Sequence, residues 1–151
     1  VIGEPVLLLR PPLKMTDQQA EWESQSVLQG EINRRWTEGS YLLKKNGVYY
    51  MMYSANHYAG PHYAVGYATA NHPLGNFKKS ANNPILAQNT KQGGEVTGTG
   101  HNSVLFAPNG KMFCVYHGRT KKTGEKRVVF IDSMEIDSSG DLKILGPTTK
   151  Y

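Results

Sequence analysis

The stretch Ser40-Tyr41-Leu42-Leu43-Lys44-Lys45-Asn46-Gly47-Val48-Tyr49-Tyr50-Met51-Met52-Tyr53-Ser54 decides the fold. Asn-Gly between two apolar, aromatic-rich runs is the strongest short-range signal for a β-hairpin. A second copy follows as Ser103-Val104-Leu105-Phe106-Ala107, the turn Pro108-Asn109-Gly110, and Lys111-Met112-Phe113-Cys114-Val115-Tyr116-His117. The copies align without a gap at an offset of 63 residues, from Gly47 to Gly110. At the same offset Tyr63-Ala64-Val65-Gly66-Tyr67-Ala68-Thr69 matches Lys126-Arg127-Val128-Val129-Phe130-Ile131-Asp132, which gives each unit a third strand. Strand-rich units at a fixed period bury their faces only against their neighbours, the mark of a propeller or solenoid. Three strands and a looser fourth make a propeller blade, and the residue before the innermost strand points at the central channel. In this gap-free register His101 falls where Glu38 stands, Tyr116 where Tyr53 stands and His117 where Ser54 stands. Glu38 and His101 are therefore expected on one channel.

The fold expected is all-β: an incomplete β-propeller of antiparallel four-stranded sheets, about two full blades plus part of a preceding one. Residues 1–37 read as the tail of that preceding blade and a connection, with a strand from Val1 to Leu9 ending at Arg10-Pro11-Pro12. Residues 38–100 and 101–151 read as the two blades. A ring closes with about four to eight blades, and 151 residues cover little more than two. The apolar faces left at each end are expected to meet missing N-terminal blades or a second chain.

Composition agrees with many short strands: 38% hydrophobic residues, 19% charged, 16 Gly and 8 Pro to supply turns. Seventeen Lys and Arg against twelve Asp and Glu leave a net charge of +5. The basic residues are dispersed apart from Arg119-Thr120-Lys121-Lys122-Thr123-Gly124-Glu125-Lys126-Arg127, which reads as a solvated hairpin loop and not as a nucleic-acid surface. Cys114, the one cysteine, allows no internal disulfide and sits mid-strand as a small buried apolar residue. No apolar run is long enough to span a bilayer, so no membrane partner is expected. The chain shows no signal peptide, and a secreted or periplasmic place is expected if the full-length protein carries one.

Glu21-Trp22-Glu23 sets an indole between two acids read as solvated charges, and the indole is either a sugar-stacking platform or an anchor that packs a connection onto the sheet. Ala55-Asn56-His57-Tyr58-Ala59-Gly60-Pro61-His62 is a loop rich in stacking and hydrogen-bonding groups. His57 and His62 lack the spacing of a zinc-protease pair and read as surface or substrate-edge residues. The glycines of Gln88–Gly100 are not followed by the Lys-Ser/Thr of a phosphate loop. Tyr49, Tyr50, Tyr53 and Tyr116 alternate along strands and read as blade packing.

Three segments carry a family resemblance. They are Trp36-Thr37-Glu38-Gly39-Ser40 with the hairpin after it; Tyr63-Ala64-Val65-Gly66-Tyr67-Ala68 with His72-Pro73-Leu74-Gly75; and Gly98-Thr99-Gly100-His101-Asn102-Ser103 with Val115-Tyr116-His117. In that order and at blade spacing, they resemble the later blades of glycoside hydrolase family 43, five-bladed propellers acting on plant cell-wall arabinose and xylose linkages. The similarity runs from about Glu21 to Thr148.

The resemblance implies an inverting glycosidase, an α-L-arabinofuranosidase or β-xylosidase with endo-arabinanase open, whose partner is a carbohydrate. It makes Glu38 the general acid, although Ser40 replaces the bulky Pro or His that often follows the Gly. Trp36, just ahead of the acid, is taken as a substrate contact. Arg127 corresponds to an arginine that reaches a substrate hydroxyl. His101 corresponds to a histidine associated with a structural calcium or water cluster on the axis, held through water; no cofactor is required for the chemistry. The aspartate base and the second aspartate of the family have no counterpart before Glu38, and Asp17 stands in the wrong context. The chain by itself is accordingly expected to be inactive. The alternative from another class is a non-catalytic carbohydrate-binding propeller.

Overall fold

Asn46 and Gly47 adopt φ of 51° and 82°, the paired left-handed conformation that closes a two-residue hairpin between Lys45 and Val48. The structure, a computed structural model, describes residues 3–25, 35 and 37–148. Its first sheet is an antiparallel meander of β1 (Thr37–Lys45), β2 (Val48–Ala55), β3 (Ala64–Ala70) and the short β4 (Lys78–Lys79). The second repeats the order with β5 (Thr97–Phe106), β6 (Met112–Arg119), β7 (Val128–Ile136) and β8 (Leu142–Ile144). A single helical turn, α1 (Ala20–Glu23), precedes the sheets. The protein is thus all-β, built from two four-stranded antiparallel sheets.

The two Asn-Gly turns differ, and the difference corrects the gap-free register. In the second hairpin the Ala107 amide donates to the Lys111 carbonyl at 2.9 Å, so Pro108-Asn109-Gly110 form a three-residue loop in which only Gly110 has positive φ, 79°. In a two-residue Asn109-Gly110 turn Pro108 would stand where Lys45 does, and proline has no N–H to close the flanking pair with Lys111. One residue is therefore inserted relative to the first hairpin. Tyr41 pairs with Met52, whereas Ser103 pairs with Val115. The counterpart of Glu38 is then Gly100, and that of Gly39 is His101. Tyr53 and Tyr116, like Ser54 and His117, stay matched as the sequence implied. The next connection is again one residue longer in the second unit, since Ala55 pairs with Ala64 and Gly118 with Val128. Tyr63 consequently matches Arg127, each the residue just before its third strand.

Burial follows how many faces each sheet covers. Along β2 and β3 nearly every residue is buried, because both faces of the first sheet are packed. Between the sheets lie Leu43, Tyr50, Met52, Val65, Tyr67 and Leu86 from the first unit, against Val96, Met112, Cys114, Tyr116, Phe130, Met134, Leu142 and Ile144. Cross-sheet bonds fix their rotation: the Tyr50 hydroxyl donates to the Gly140 carbonyl at 3.1 Å, and the Tyr67 hydroxyl to Asp141 Oδ1 at 3.0 Å. On the far face of the first sheet Trp22, Tyr53, Ala55, Ala64 and Ala68 form a second cluster. The second sheet alternates strictly along β7, leaving Val129 and Ile131 74% and 53% exposed. Cys114 is fully buried within the first of these clusters, and burial pushes its thiol up to about 12, with Asp132 adding to the shift.

Three readings of individual residues change. The described part of the N-terminal stretch, Gly3 to Leu9, forms no strand; Val6, Leu7, Leu8 and Leu9 lie along Thr37, Glu38, Ser40, Met51 and Tyr53 without a ladder partner. Glu23 is 1% exposed and not solvated, paired with the Lys79 ammonium at 2.7 Å and accepting the Tyr53 hydroxyl at 2.8 Å. A carboxylate can be buried there because the cation and the phenol replace its water. Arg119 is also buried, its guanidinium donating to the Gly60 carbonyl at 2.9 Å, so the basic loop is solvated only beyond it. Trp22 resolves to an anchor: it is buried, its indole N–H donates to Gln19 Oε1 at 2.6 Å and its ring tilts on Tyr53.

Candidate active site

Both innermost strands open with a β-bulge, and the bulges make the site. In β1 the irregularity falls between Glu38 and Tyr41, with Gly39 at φ 57°. In β5 it falls between Gly100 and Ser103, with His101 itself at φ 51°. A bulge re-aims the side chains around it, and here it turns Glu38 and His101 out of the ladder into a common cavity of about 260 Å³. Glu38, Tyr58, Tyr63, His101 and Arg127 line it. The backbones touch as well: a Cβ at Gly39 would stand 3.2 Å from His101 Cα, and the His101 amide donates to Ser54 Oγ at 2.8 Å.

Glu38 is exposed, and the buried Tyr63 donates its hydroxyl to Glu38 Oε1 at 2.9 Å. Burial and the bond to Glu38 push the Tyr63 phenol far above its ordinary range, so it remains a donor. Arg127 sits over the Tyr58 ring, 5.2 Å from its centroid, which gives a cationic wall beside an aromatic one. Behind Tyr63 the His117 ring stacks at 5.5 Å and 14°, and the His101 ring lies 6.5 Å from His117. Neither ring nitrogen of His117 has a hydrogen-bond partner among the described residues. Burial, then the charges of Arg127, His101 and Arg119, lower His117 to about 4 against the opposing pull of Glu38, which keeps the ring neutral.

The structure brings together three of the four residues singled out from the sequence, Glu38, His101 and Arg127. Trp36 lies outside the described residues. Tyr63 and Tyr58 were not singled out, although Tyr63 opens the third-strand match; only the pairing register shows that it occupies the Arg127 position. Among the described residues no three His, Cys, Asp or Glu side chains converge as a metal set. Calcium takes six to eight oxygens, and the exposed His101 imidazole beside one carboxyl does not fit such a shell.

Residues 9–142 match the family described as glycosyl hydrolases family 43. Over 110 residues, 71% of this chain and 31% of the relative, the chain is 39% identical to the β-D-galactofuranosidase xynD of Aspergillus niger. Over 129 residues, 80% of this chain and 35% of the relative, it is 32% identical to an extracellular exo-α-(1→5)-L-arabinofuranosidase of Streptomyces chartreusis. Among solved structures, a thermostable family-43 glycoside hydrolase superimposes with a TM-score of 0.78 and 42% identity over 99% of this chain and 44% of its own. An endo-1,4-β-xylanase from Bacteroides thetaiotaomicron gives 0.70 and 37% over 85% and 42%. The chain therefore spans about a third of the length of these curated relatives. With the repeated meander, the bulged Glu38 and a match across most of its length, this chain belongs to glycosyl hydrolases family 43.

Proposed function

We propose that these blades carry the general-acid half of an inverting glycosidase site for arabinose- or xylose-containing plant cell-wall polysaccharides or oligosaccharides, as an α-L-arabinofuranosidase or β-xylosidase, with Glu38 as the acid. The observation that carries this reading is a carboxyl held by a buried phenol at the mouth of an innermost strand, in one cavity with a guanidinium and two aromatic rings. Such a cavity offers a sugar a proton donor, a cation for hydroxyl oxygens and the exposed Tyr58 ring as an aromatic wall. The relatives' names, an exo-arabinofuranosidase and a β-D-galactofuranosidase, support a glycan substrate.

An inverting enzyme protonates the leaving oxygen with one carboxyl while another, about 6.5–9.5 Å away, activates water on the opposite face. Glu38 is the one carboxyl among the side chains lining this cavity. The base is proposed to come from further blades, of the same protein or of a second chain, which would also cover the apolar face around Val129 and Ile131. Arg127 would hold a substrate hydroxyl against the Tyr58 wall. That single carboxyl also favours a second reading, a carbohydrate-binding propeller that grips sugars without hydrolysing them.

In a protein with a completed ring, Glu38→Gln is expected to lower turnover of substrates with poor leaving groups by about 10²–10⁴-fold and largely spare activated aryl glycosides, which need no protonation. Steady-state kinetics on both classes decides. Equal losses on the two would argue against the acid role, and sugar binding without any turnover in the parent would favour the second reading.

A further inference from the structure

Tyr63 is held more tightly than any contact with a flexible substrate wall requires. Its side chain is fully buried, immediately before β3. On one side Gly100 is mandatory, since a Cβ there would lie 2.1 Å from Tyr63 Cε1. On the other the His117 ring stacks at 5.5 Å and 14°. Its carbonyl accepts the buried Thr99 hydroxyl at 3.4 Å. All of this fixes a ring whose hydroxyl projects to Glu38 Oε1 at 2.9 Å, while Glu38 itself faces solvent from a bulge. The rigid partner is the phenol, and the carboxyl is the group being set.

We propose that Tyr63 is the positioning residue of Glu38: by donating to Oε1 it fixes the carboxyl plane and assigns the transferable proton to Oε2. The inference rests on Glu38 being the acid. In a protonated carboxyl the oxygen without hydrogen is the better acceptor, so an O–H donor on Oε1 leaves the proton on Oε2. During transfer the Oε2–H bond breaks and its electron pair stays on the carboxylate. The proton joins the leaving oxygen, and Tyr63 keeps its own. As charge appears on Glu38, the Tyr63 bond becomes charge-assisted and strengthens. An interaction stronger after transfer than before lowers the barrier and not merely the ground state.

The other titratable groups around Glu38 are Tyr58, His101 and Arg127 on the cavity wall and His117 behind Tyr63. All persist when only the Tyr63 hydroxyl is changed. The test is a ¹³C-carboxyl NMR titration of Glu38 in the 151-residue chain, with the signal assigned by its loss in Glu38→Gln. Tyr63→Phe is expected to raise the Glu38 midpoint by about one pH unit, since one charge-assisted donor is lost. Site-specific incorporation of 3-fluorotyrosine at position 63 alone, nearly isosteric and a stronger donor, is expected to lower it. This second arm stands even if Tyr63→Phe fails to fold. A midpoint unmoved by fluorotyrosine, or moved the same way by both changes, overturns the proposal. The two readings fail separately: a null titration leaves the acid role intact, and equal leaving-group losses in Glu38→Gln leave the Tyr63 bond a feature of sugar binding.

Discussion

Gly39 and His101 perform the same backbone task with different side chains, each left-handed at the bulge of an innermost strand. The glycine lets β1 approach β5 closely, and the histidine adds an imidazole to the cavity at the cost of an unfavourable φ. Gly39→Ala should therefore lose roughly 1 kcal/mol or more, from positive φ and from the 3.2 Å approach to His101, read as a lower urea midpoint. His117 makes a pH prediction whose sign is fixed by its environment. Held near 4 from an ordinary 6.5, it is neutral in the fold while the unfolded chain already takes up a proton. Its contribution to stability is present above about 6.5, declines as pH falls, and levels off below about 4. Denaturation midpoints between those values should slope in the parent and slope less in His117→Phe, which keeps a planar ring against Tyr63. At this scale Glu38 was legible because its motif is local. Tyr63 was not, because its role depends on a register that shifts by one residue at each turn.

Between strands, turn chemistry decides more than the repeat does. Asn46-Gly47 and Pro108-Asn109-Gly110 look alike as sequence, yet proline excludes the two-residue turn, and the inserted residue moves His101 from the Glu38 position to that of Gly39. Strands themselves were readable from alternating aromatic and β-branched residues, since that pattern is what a half-buried pleat selects. Their burial was not, because a sheet packed on both faces and one packed on a single face share the same propensities. The N-terminal segment shows the limit: Val6–Leu9 has strand composition but joins neither sheet, and Leu9 packs instead against the cluster that holds Trp22 and Tyr53. That attachment centres on Glu23, Lys79 and Tyr53, with the Lys79 ammonium also donating to the Arg10 carbonyl at 3.0 Å. Lys79→Met should strand a buried carboxylate and cost about 3–5 kcal/mol, and Glu23→Leu added to it should restore much of the loss. A double-mutant cycle by urea unfolding reads both. Gly100→Ala, which must displace the Tyr63 ring, should cost about 1–3 kcal/mol in the same assay.

For the molecule as a whole, two four-stranded blades share one core and leave Leu105, Phe106, Val129 and Ile131 exposed on the second sheet. Apolar side chains arrayed on a sheet face are stable when another layer covers them. The offset between hairpins made the propeller legible, because only a repeat places a second turn and a third strand at intervals one residue apart, Gly47 to Gly110 and Ala64 to Val128. On the proposed reading, further blades, of the same protein or of a second chain, complete the ring and supply the carboxylate that faces Glu38. The central claim, that Glu38 supplies the acid and the base comes from further blades, has a direct measurement. Initial rates of aryl arabinofuranoside and xyloside hydrolysis are compared for the purified 151-residue chain, a separately made N-terminal portion of the propeller, and their mixture. Turnover is expected only in the mixture, where Glu38→Gln largely spares the aryl glycosides and lowers turnover of arabino- and xylo-oligosaccharides, assayed alongside, by about 10²–10⁴-fold. Robust turnover by the chain alone would contradict it, since a base would then lie within these residues.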